Sequence, residues 1–143
     1  MGAHQEQDAY VALQRASAAL LEELTQLLKP HRLSATQYNV LRILRGARPE
    51  LLSCGEIASR LIAKDPDLTR LLDRLAGLGW IERSRGQADR RVVRAGITAE
   101  GVGLLKSLDG EIAALHRRQF AGLSEKKTAM LARLLDELGS ARR

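Results

Sequence analysis

Aromatic residues are scarce in this sequence of 143 residues, where they make up only 3% of the chain. One Trp, two Tyr and one Phe cannot fill the interior of a domain of this length, so we expect a core of aliphatic side chains. The same scarcity removes the stacked aromatic rings on which many proteins hold the bases of single-stranded nucleic acids. The composition therefore argues against that mode of binding.

Cysteine is nearly absent as well, because Cys54 is the only one in the sequence. One cysteine excludes a framework of internal disulfides and fits a reducing compartment. No apolar run is long enough to span a bilayer, and the N-terminal region carries charges where a secretory signal would need an apolar segment. We therefore predict a cytoplasmic protein that does not associate with a membrane.

Motifs for catalysis and for metal binding are missing too. The sequence offers no nucleophile paired with a base and no Gly-rich phosphate loop. The three histidines, His4, His31 and His116, are too scattered to suggest a metal site, and no cluster of carboxylates and cysteines joins them. We therefore predict that the protein is not an enzyme and binds neither a metal ion nor a cofactor.

The chain does carry an excess of positive charge, and much of it lies in one short segment. The net charge is +6, and about half of it lies between residues 82 and 94, where five arginines stand against two acids. The arginines are Arg83, Arg85, Arg90, Arg91 and Arg94, and the acids are Glu82 and Asp89. Such a cluster neutralises phosphates and releases counterions. One arginine alone is ordinarily a solvated surface charge, but five together favour a polyanionic partner, for which we expect duplex DNA.

The spacing of the leucines predicts a mainly α-helical chain with one small β-hairpin. Ser34 with Gln37, and Ser53 with Glu56, form capping boxes that mark two helix starts. Helices are expected over residues 8–28, 34–46, 53–62, 65–78, 99–121 and 124–138, and the hairpin strands over residues 80–83 and 92–97. The long helices at both ends supply more apolar surface than one small domain needs, which favours a homodimer over a closed monomeric bundle.

The helix expected over residues 65–78 has the features of a DNA recognition helix. Asp65 can cap its free amides, and Pro66 suits its first position. Its inner face consists of Leu68, Leu71, Leu72 and Leu75, at the spacing i, i+3, i+4, i+7. Two short helices followed by an arginine-bearing hairpin form a winged helix-turn-helix, which can grip duplex DNA in two grooves at once.

Three stretches of the chain resemble sequences typical of MarR-type regulators. Residues 89–98, Asp-Arg-Arg followed by five residues and then Ile-Thr, resemble the wing signature of that family. Residues 68–75 (LTRLLDRL) with residues 79–81 (GWI) resemble its recognition helix and the entry to its wing. Residues 34–41 (SATQYNVL) resemble the opening of its second helix. The stretches follow the family's order, and the resemblance covers nearly the whole chain.

This resemblance implies a single subunit over residues 1–143, mainly α with a small β-wing. It implies a winged helix-turn-helix lobe over residues 34–98, flanked by N- and C-terminal dimerisation helices over residues 8–30 and 99–141. Such regulators usually repress transcription, and a small molecule or thiol oxidation often releases them from DNA. A two-fold dimer would place its recognition helices about 34–36 Å apart and would bind a palindromic operator. The alternative is a nonspecific or architectural DNA-binding protein with the same fold and no effector.

On the recognition helix, four residues are expected to contact DNA. Arg70 and Arg74 lie one turn apart and can reach phosphates or guanine edges in the major groove. Thr69 is expected to contact a phosphate. Asp67 leaves two alternatives open, since it can accept a hydrogen bond from a cytosine amine or serve as a favourable charge at the helix N-terminus.

On the wing, Arg91 is expected to enter the minor groove, while Arg90 reaches the DNA backbone. Arg83 and Arg85 are expected to add further contacts with DNA. The family pattern implies that Asp89 holds Arg91 in position by a charge-assisted hydrogen bond.

The resemblance also implies an effector cavity between the dimer helices and the DNA-binding lobe, for which His31, Tyr38, Arg42 and His116 are the candidate residues. Tyr38 and Arg42 lie one turn apart and suit a small aromatic or phenolic effector. The alternative is that Tyr38 is a core residue with its hydroxyl satisfied, while Arg42 is a surface ion-pair partner.

Two other positions also leave alternatives open. Cys54 falls in the first turn of a predicted helix, where thiols are often reactive, but no second cysteine can resolve an oxidised form. We therefore expect Cys54 to be a small buried apolar residue. Gly96 falls within the second wing strand, which it either weakens or bends by permitting a bulge.

Overall fold

Residues 2–85 and 91–142, which the computed structural model describes, form six α-helices and three short β-strands. The helices are α1 (Gly2–Leu28), α2 (Ala35–Ala47), α3 (Cys54–Arg60), α4 (Leu68–Gly77), α5 (Ala99–Gln119) and α6 (Glu125–Ser140), with a 3-10 turn at Lys29–His31. The strands are β1 (Leu52–Ser53), β2 (Ile81–Arg85) and β3 (Val93–Ile97). The predicted fold class, mainly α with a small β-wing, is confirmed.

The chain divides into two compact units, Met1–Asp109 and Gly110–Arg143, and the boundary falls within α5. The first unit contains helices α1 to α4, the sheet and the first half of α5. The second contains the rest of α5 and α6, whose N-cap Ser124 accepts a hydrogen bond from the Lys127 amide at 3.1 Å.

Capping boxes fix the starts of α2 and α3, as the sequence predicts. At α2, the Ser34 hydroxyl accepts from the Gln37 amide and the Gln37 side chain accepts from the Ser34 amide, both at 3.0 Å. At α3, Ser53 and Glu56 make the equivalent bonds at 3.2 and 3.1 Å. Each box satisfies two amides that a helix start leaves without an intrahelical partner, and losing such a cap typically costs about 1 kcal/mol.

The three strands form one antiparallel sheet in the order β1-β3-β2. Within the β2–β3 hairpin, Ile81 pairs with Ile97 and Arg83 pairs with Ala95. Because side chains alternate along a strand, one face of this hairpin carries the buried Ile81, Ala95 and Ile97. Strand β1, which pairs Leu52 with Ala95, is absent from the sequence prediction. Its two residues are too few to display the alternation by which a strand is identified.

The core is aliphatic, as the scarcity of aromatic residues predicts. Its largest fully buried side chains are those of Leu28, Val40, Leu41, Leu44, Leu52, Ile57, Leu75, Leu105 and Leu108. Full burial of one such side chain typically contributes about 1.5–3 kcal/mol to stability. Because these residues come from α1 to α5 and from β1, one core supports both the helix-turn-helix and the base of the hairpin.

Gly96 neither breaks β3 nor leaves a gap in it. It pairs with Glu82 of β2, and the side chain of Leu51 occupies the space where a Cβ atom would stand. The regular ladder on both sides shows no bulge at this position. The glycine therefore makes room for a side chain from the neighbouring segment.

The expectation that Cys54 is buried is wrong, because its side chain is exposed. Helix α3 has only seven residues, and Ile57 is the residue that it buries. A helix of two turns has little inward-facing surface, so its first residue remains on the solvent side.

Several predicted boundaries shift by a few residues. Helix α1 begins at Gly2 instead of residue 8, α3 ends at Arg60, and α5 ends at Gln119. Such ends are hard to place from sequence because helices fray there. Among residues 2–85 and 91–142, no helix combines the length and the apolar character that crossing a membrane requires.

Candidate nucleic-acid interface

Helix α4, the predicted recognition helix, begins at Leu68 and therefore later than the sequence suggests. The Asp65 carboxylate accepts from the backbone amide of Asp67 at 2.8 Å, so it closes a turn before the helix and does not cap it. Pro66 consequently lies in that turn and not at the first helical position. Asp67 is the N-cap residue, is exposed and makes no side-chain capping bond, so both alternatives for its role stay open.

The two faces of α4 differ sharply in burial. Of the four leucines predicted for the inner face, Leu68, Leu72 and Leu75 are buried, whereas Leu71 is only half-buried. The exposed residues of α4 include Thr69, Arg70, Asp73 and Arg74. Because Arg70 and Arg74 are four residues apart, their guanidinium groups project from the same side of the helix. A rigid, leucine-anchored helix thus presents two positive charges to solvent.

A backbone turn at Gly79 connects α4 to the first wing strand. Gly79 has a φ of 83°, and the amides of Gly79 and Trp80 donate to the carbonyls of Ala76 and Leu75, both at 3.0 Å. This Schellman arrangement requires the left-handed backbone that glycine adopts at little cost. The Thr98 hydroxyl donates to the Gly79 carbonyl at 2.7 Å and thereby fastens the end of β3 to the same turn. The wing base is therefore fixed directly to the recognition helix.

An ion pair joins the recognition helix to strand β2. The Arg83 guanidinium donates from Nη2 to Oδ1 of Asp73, a residue on the exposed face of α4. The Arg83 side chain is 29% exposed and that of Asp73 is 61% exposed. Thus Arg83, predicted as a DNA contact, lies where its charged group already has a protein partner.

A second ion pair joins strand β3 to the start of α3. Nη1 of Arg94 donates to Oε1 of Glu56 at 2.7 Å, and the same carboxylate oxygen accepts from the Ser53 amide. The bonds from the amide and hydroxyl of Ser53, together with Arg94, hold the pKa of Glu56 below its ordinary value of 4.5. One carboxylate thus caps a helix and binds a wing strand.

Replacing Glu56 by Gln is expected to lower the melting temperature at neutral pH. A carboxylate whose pKa is lowered in the folded state contributes stability above its unfolded pKa and loses it as the pH falls. The difference in melting temperature between wild type and Glu56→Gln should therefore stay nearly constant at pH values well above 4.5 and shrink as the pH falls below 4.5. Thermal denaturation followed by circular dichroism measures it, and a difference independent of pH would contradict the assignment.

The wing tip falls partly outside the described residues. Asp89 and Arg90 lie in the segment 86–90, of which nothing is described, so the predicted bond from Asp89 to Arg91 remains a prediction. Arg85 and Arg91, which flank that segment, are both exposed. Next to them, Arg83, Ser84, Arg85 and Val93 line a shallow groove on the wing.

The candidate effector residues fall in both units. Tyr38 lies in the core of the first unit, only 6% exposed, and its burial raises the pKa of its hydroxyl. The Arg42 guanidinium carbon lies 5.9 Å from the centre of the Tyr38 ring. His31 is half-buried in the 3-10 turn. In the second unit, Nδ1 of His116 lies 2.9 Å from Oε1 of Gln119.

Sequence reasoning missed the ion pairs that fix the lobe internally, including the one that Glu56, expected only as part of a capping box, makes with Arg94. A third pair joins Arg45 of α2 to the Asp109 carboxylate through two hydrogen bonds, at 3.0 and 3.1 Å. A signal for Arg83 did exist: it stands two residues after Ile81, so its side chain leaves the strand on the buried face. Its partner, Asp73, is ten residues away in sequence and becomes a neighbour only through the turn at Gly79.

No group of three or more metal-ligating side chains occurs within residues 2–85 and 91–142. Four exposed arginines are the charged groups that the predicted recognition helix and wing share, with Arg70 and Arg74 on α4 and Arg85 and Arg91 at the wing. These four arginines stand on α4 and the wing, which the turn at Gly79 and the Asp73–Arg83 ion pair connect. Such an arrangement suits a polyanion that extends across both elements.

Comparison with known proteins bears on the same elements. A sequence model of the MarR family matches residues 33–93. The HTH-type transcriptional regulator PecS of Dickeya dadantii (strain 3937) is 32% identical over 125 residues, which cover 86% of this chain and 75% of PecS. The homoprotocatechuate degradative operon repressor of Escherichia coli is 28% identical over 135 residues, which cover 92% of this chain and 90% of the repressor.

Solved structures agree with the sequence comparisons. A crystal structure of mutant MarR from E. coli, complexed with operator DNA, matches with a TM-score of 0.80 and 26% identity. The match covers 89% of this chain and 90% of that one. With the family's wing signature, its recognition-helix sequence and its fold all present, the chain belongs to the MarR family of transcriptional regulators.

Proposed function

We propose that this protein is a sequence-specific regulator that binds duplex DNA and represses transcription until a small effector releases it. The observation that carries the proposal is the exposed arginine pair of α4, joined through the turn at Gly79 to a wing that bears further arginines. If these arginines were only solvated surface charges, nothing would require the helix and the hairpin that carry them to be fixed to each other. No catalytic activity is proposed.

In this mechanism α4 enters a major groove, and the wing reaches the flanking minor groove. Arg70 and Arg74 read base edges or phosphates, and Thr69 contacts a phosphate. Asp67, at the N-terminus of α4, either accepts from a cytosine amine or stabilises the helix start. On the wing, Arg91 enters the minor groove, while Arg85 and Arg90 contact the backbone, with Asp89 positioning Arg91.

A second copy of the chain completes the proposed DNA-binding unit. In α1 the exposed apolar residues include Tyr10 and Leu21, and in α6 they include Leu134 and Leu138. These four side chains are between 49% and 64% exposed, more than expected for the apolar stripe of a helix that works alone. A two-fold dimer that covers them would bind half-sites about 34–36 Å apart and hence a palindromic operator.

The proposed effector is a small aromatic or phenolic molecule. The E. coli relative is, by its name, the repressor of an operon for degrading homoprotocatechuate, an aromatic compound. In this chain the proposal assigns recognition to Arg42 and His31, with Tyr38 supporting Arg42 from the core. Addition of phenolic carboxylates to the complex with operator DNA should lower its affinity, and a panel without any effect would remove the effector from the proposal.

Titration of the protein against DNA, followed by fluorescence anisotropy, tests the proposed function. The duplex upstream of the protein's own gene is compared with a random duplex of equal length, each at two salt concentrations. A regulator should prefer its site by about a thousandfold or more, and both affinities should fall with salt. Equal affinity for several upstream and random duplexes would indicate the alternative, a nonspecific or architectural DNA-binding protein.

Replacement of Arg91 by Ala is expected to weaken operator binding about tenfold, because loss of one minor-groove or phosphate contact costs roughly 1–3 kcal/mol. Arg91 is exposed, so the melting temperature should stay unchanged. The matched control is Arg118→Ala, which removes the same charge from the exposed last turn of α5 and should leave affinity nearly unchanged. Equal effects of the two substitutions would indicate a general effect of net charge and would contradict the proposed contact between Arg91 and DNA.

A further inference from the structure

Asp73 stands at an unfavourable place for a DNA-binding surface. It lies on the exposed side of α4, between Arg70 and Arg74 in the sequence, and its side chain is 61% exposed. A carboxylate in this position opposes the approach of phosphates. Taken alone, its removal should therefore strengthen DNA binding.

Arg83, its partner, approaches from the wing along the inner side of the hairpin. Arg83 pairs with the buried Ala95 and stands two residues after the buried Ile81, so its side chain leaves β2 on the face that carries those two residues. Its guanidinium ends on Asp73. The pair therefore bridges α4 and β2, the two elements that the proposed function sends into different grooves.

On this geometry we propose that the Asp73–Arg83 ion pair fixes the orientation of the wing relative to the recognition helix, and that Arg83 is a positioning residue and not a DNA contact. The inference rests on the proposed function and deepens it. An ion pair this exposed contributes little to global stability. By fixing the wing before DNA arrives, it lowers the entropy lost when both elements are ordered on the duplex.

The wing is held on its other face by a separate contact. Strand β3 is tied to α3 through Arg94 and Glu56, whereas the Asp73–Arg83 pair ties β2 to α4. Arg94 pairs with Ser84 in the hairpin, so it leaves the sheet on the face opposite to that of Arg83. Loss of Asp73 therefore leaves the wing attached through Arg94 and, at its base, through Thr98, but removes the ion pair that holds β2 against α4 beyond the turn at Gly79.

A double-mutant cycle on operator affinity tests the inference. Asp73→Asn and Arg83→Gln should each weaken operator binding about three- to tenfold, because the entropy of ordering one or two side chains would then be lost on binding DNA. The double variant should bind no more weakly than either single variant. If Arg83 instead contacts a phosphate, Arg83→Gln weakens binding while Asp73→Asn leaves it unchanged or strengthens it. That opposite sign for Asp73→Asn would overturn the proposal.

Glu82 offers a matched control because it is an exposed acid on the same strand, next to Arg83 in sequence but on the other face. Glu82→Gln removes the same charge without touching the pair, so its operator affinity should be unchanged or slightly higher. A loss as large as that of Asp73→Asn would assign the effect to charge alone and overturn the proposal.

A measurement without DNA separates this inference from the proposed function. In Asp73→Asn, the backbone amides of the β2–β3 ladder should exchange with solvent at least about threefold faster than in wild type, and in Glu82→Gln at the wild-type rate. Unchanged exchange in Asp73→Asn would show that the pair does not hold the wing, even if the wild type proves to be a specific regulator. Failure of the wild type to prefer any operator, with faster exchange in Asp73→Asn, would refute only the proposed function.

Discussion

Replacement of Gly101 by Ala is expected to lower the free energy of unfolding by about 3 kcal/mol, at the upper end of what overpacking usually costs. A Cβ atom at this position would overlap the carbonyl oxygen of Trp80 and would lie 2.6 Å from Cγ1 of Ile97. The Trp80 carbonyl cannot easily move away, since it accepts from the Thr98 amide at 3.0 Å. The start of α5 would have to separate from the wing base.

The control for this substitution lies two residues further along the same helix. Gly103 has open space around its Cβ position, so Gly103→Ala should raise stability by up to about 1 kcal/mol through helix propensity alone. Urea denaturation of the two variants measures both effects. Equal changes of the same sign would show that the contact between α5 and the Trp80 carbonyl does not limit this site.

Simultaneous replacement of Arg70 and Arg74 by Ala is expected to remove most of the preference for the operator over random duplex. Each bidentate contact with a base is worth about 1–3 kcal/mol of discrimination, so the pair should reduce the preference about a hundredfold or more. Both side chains are exposed, and alanine is the best helix former, so the fold and the melting temperature should be retained. Fluorescence anisotropy with the operator and a random duplex measures the preference directly.

The double variant Arg117→Ala with Arg118→Ala provides the matched control. It removes the same two charges from the exposed last turn of α5, outside the lobe of residues 34–98. Its operator preference should remain, although its affinity for any DNA falls slightly with net charge. If the preference survives in the α4 variant as well, recognition does not depend on the exposed face of α4.

The local elements could be predicted because their signals are contained in a few adjacent residues. Two capping boxes, a leucine stripe and Gly79 mark the starts of α2 and α3 and the inner face and end of α4, and all of these are found in the structure. The start of α4 was predicted wrongly, since Asp65 has two local uses. Its carboxylate can cap a helix or close a turn, and only the folded backbone selects the turn.

Contacts between distant residues could not be predicted in the same way. Strand β1 exists only because β3 offers it an edge, and Cys54 is exposed because the short α3 buries Ile57. For the arginines of the wing, the sequence and the family pattern predict contacts with DNA but do not show which of them pair with distant acids of the same chain. In the structure, Arg83 and Arg94 bind carboxylates of the same chain on opposite faces of the hairpin.

The sequence by itself determined the class of this protein: an aliphatic, mainly helical chain with a basic wing and the motifs of one family of transcriptional regulators. These properties follow from composition, periodicity and local hydrogen bonding, which depend on residues that are close together in the sequence. The tertiary structure alone decided which charges face each other and which face solvent. Asp73 and Arg83 meet because the left-handed turn at Gly79 folds β2 back against α4. No pattern of neighbouring residues encodes the direction in which β2 leaves that turn.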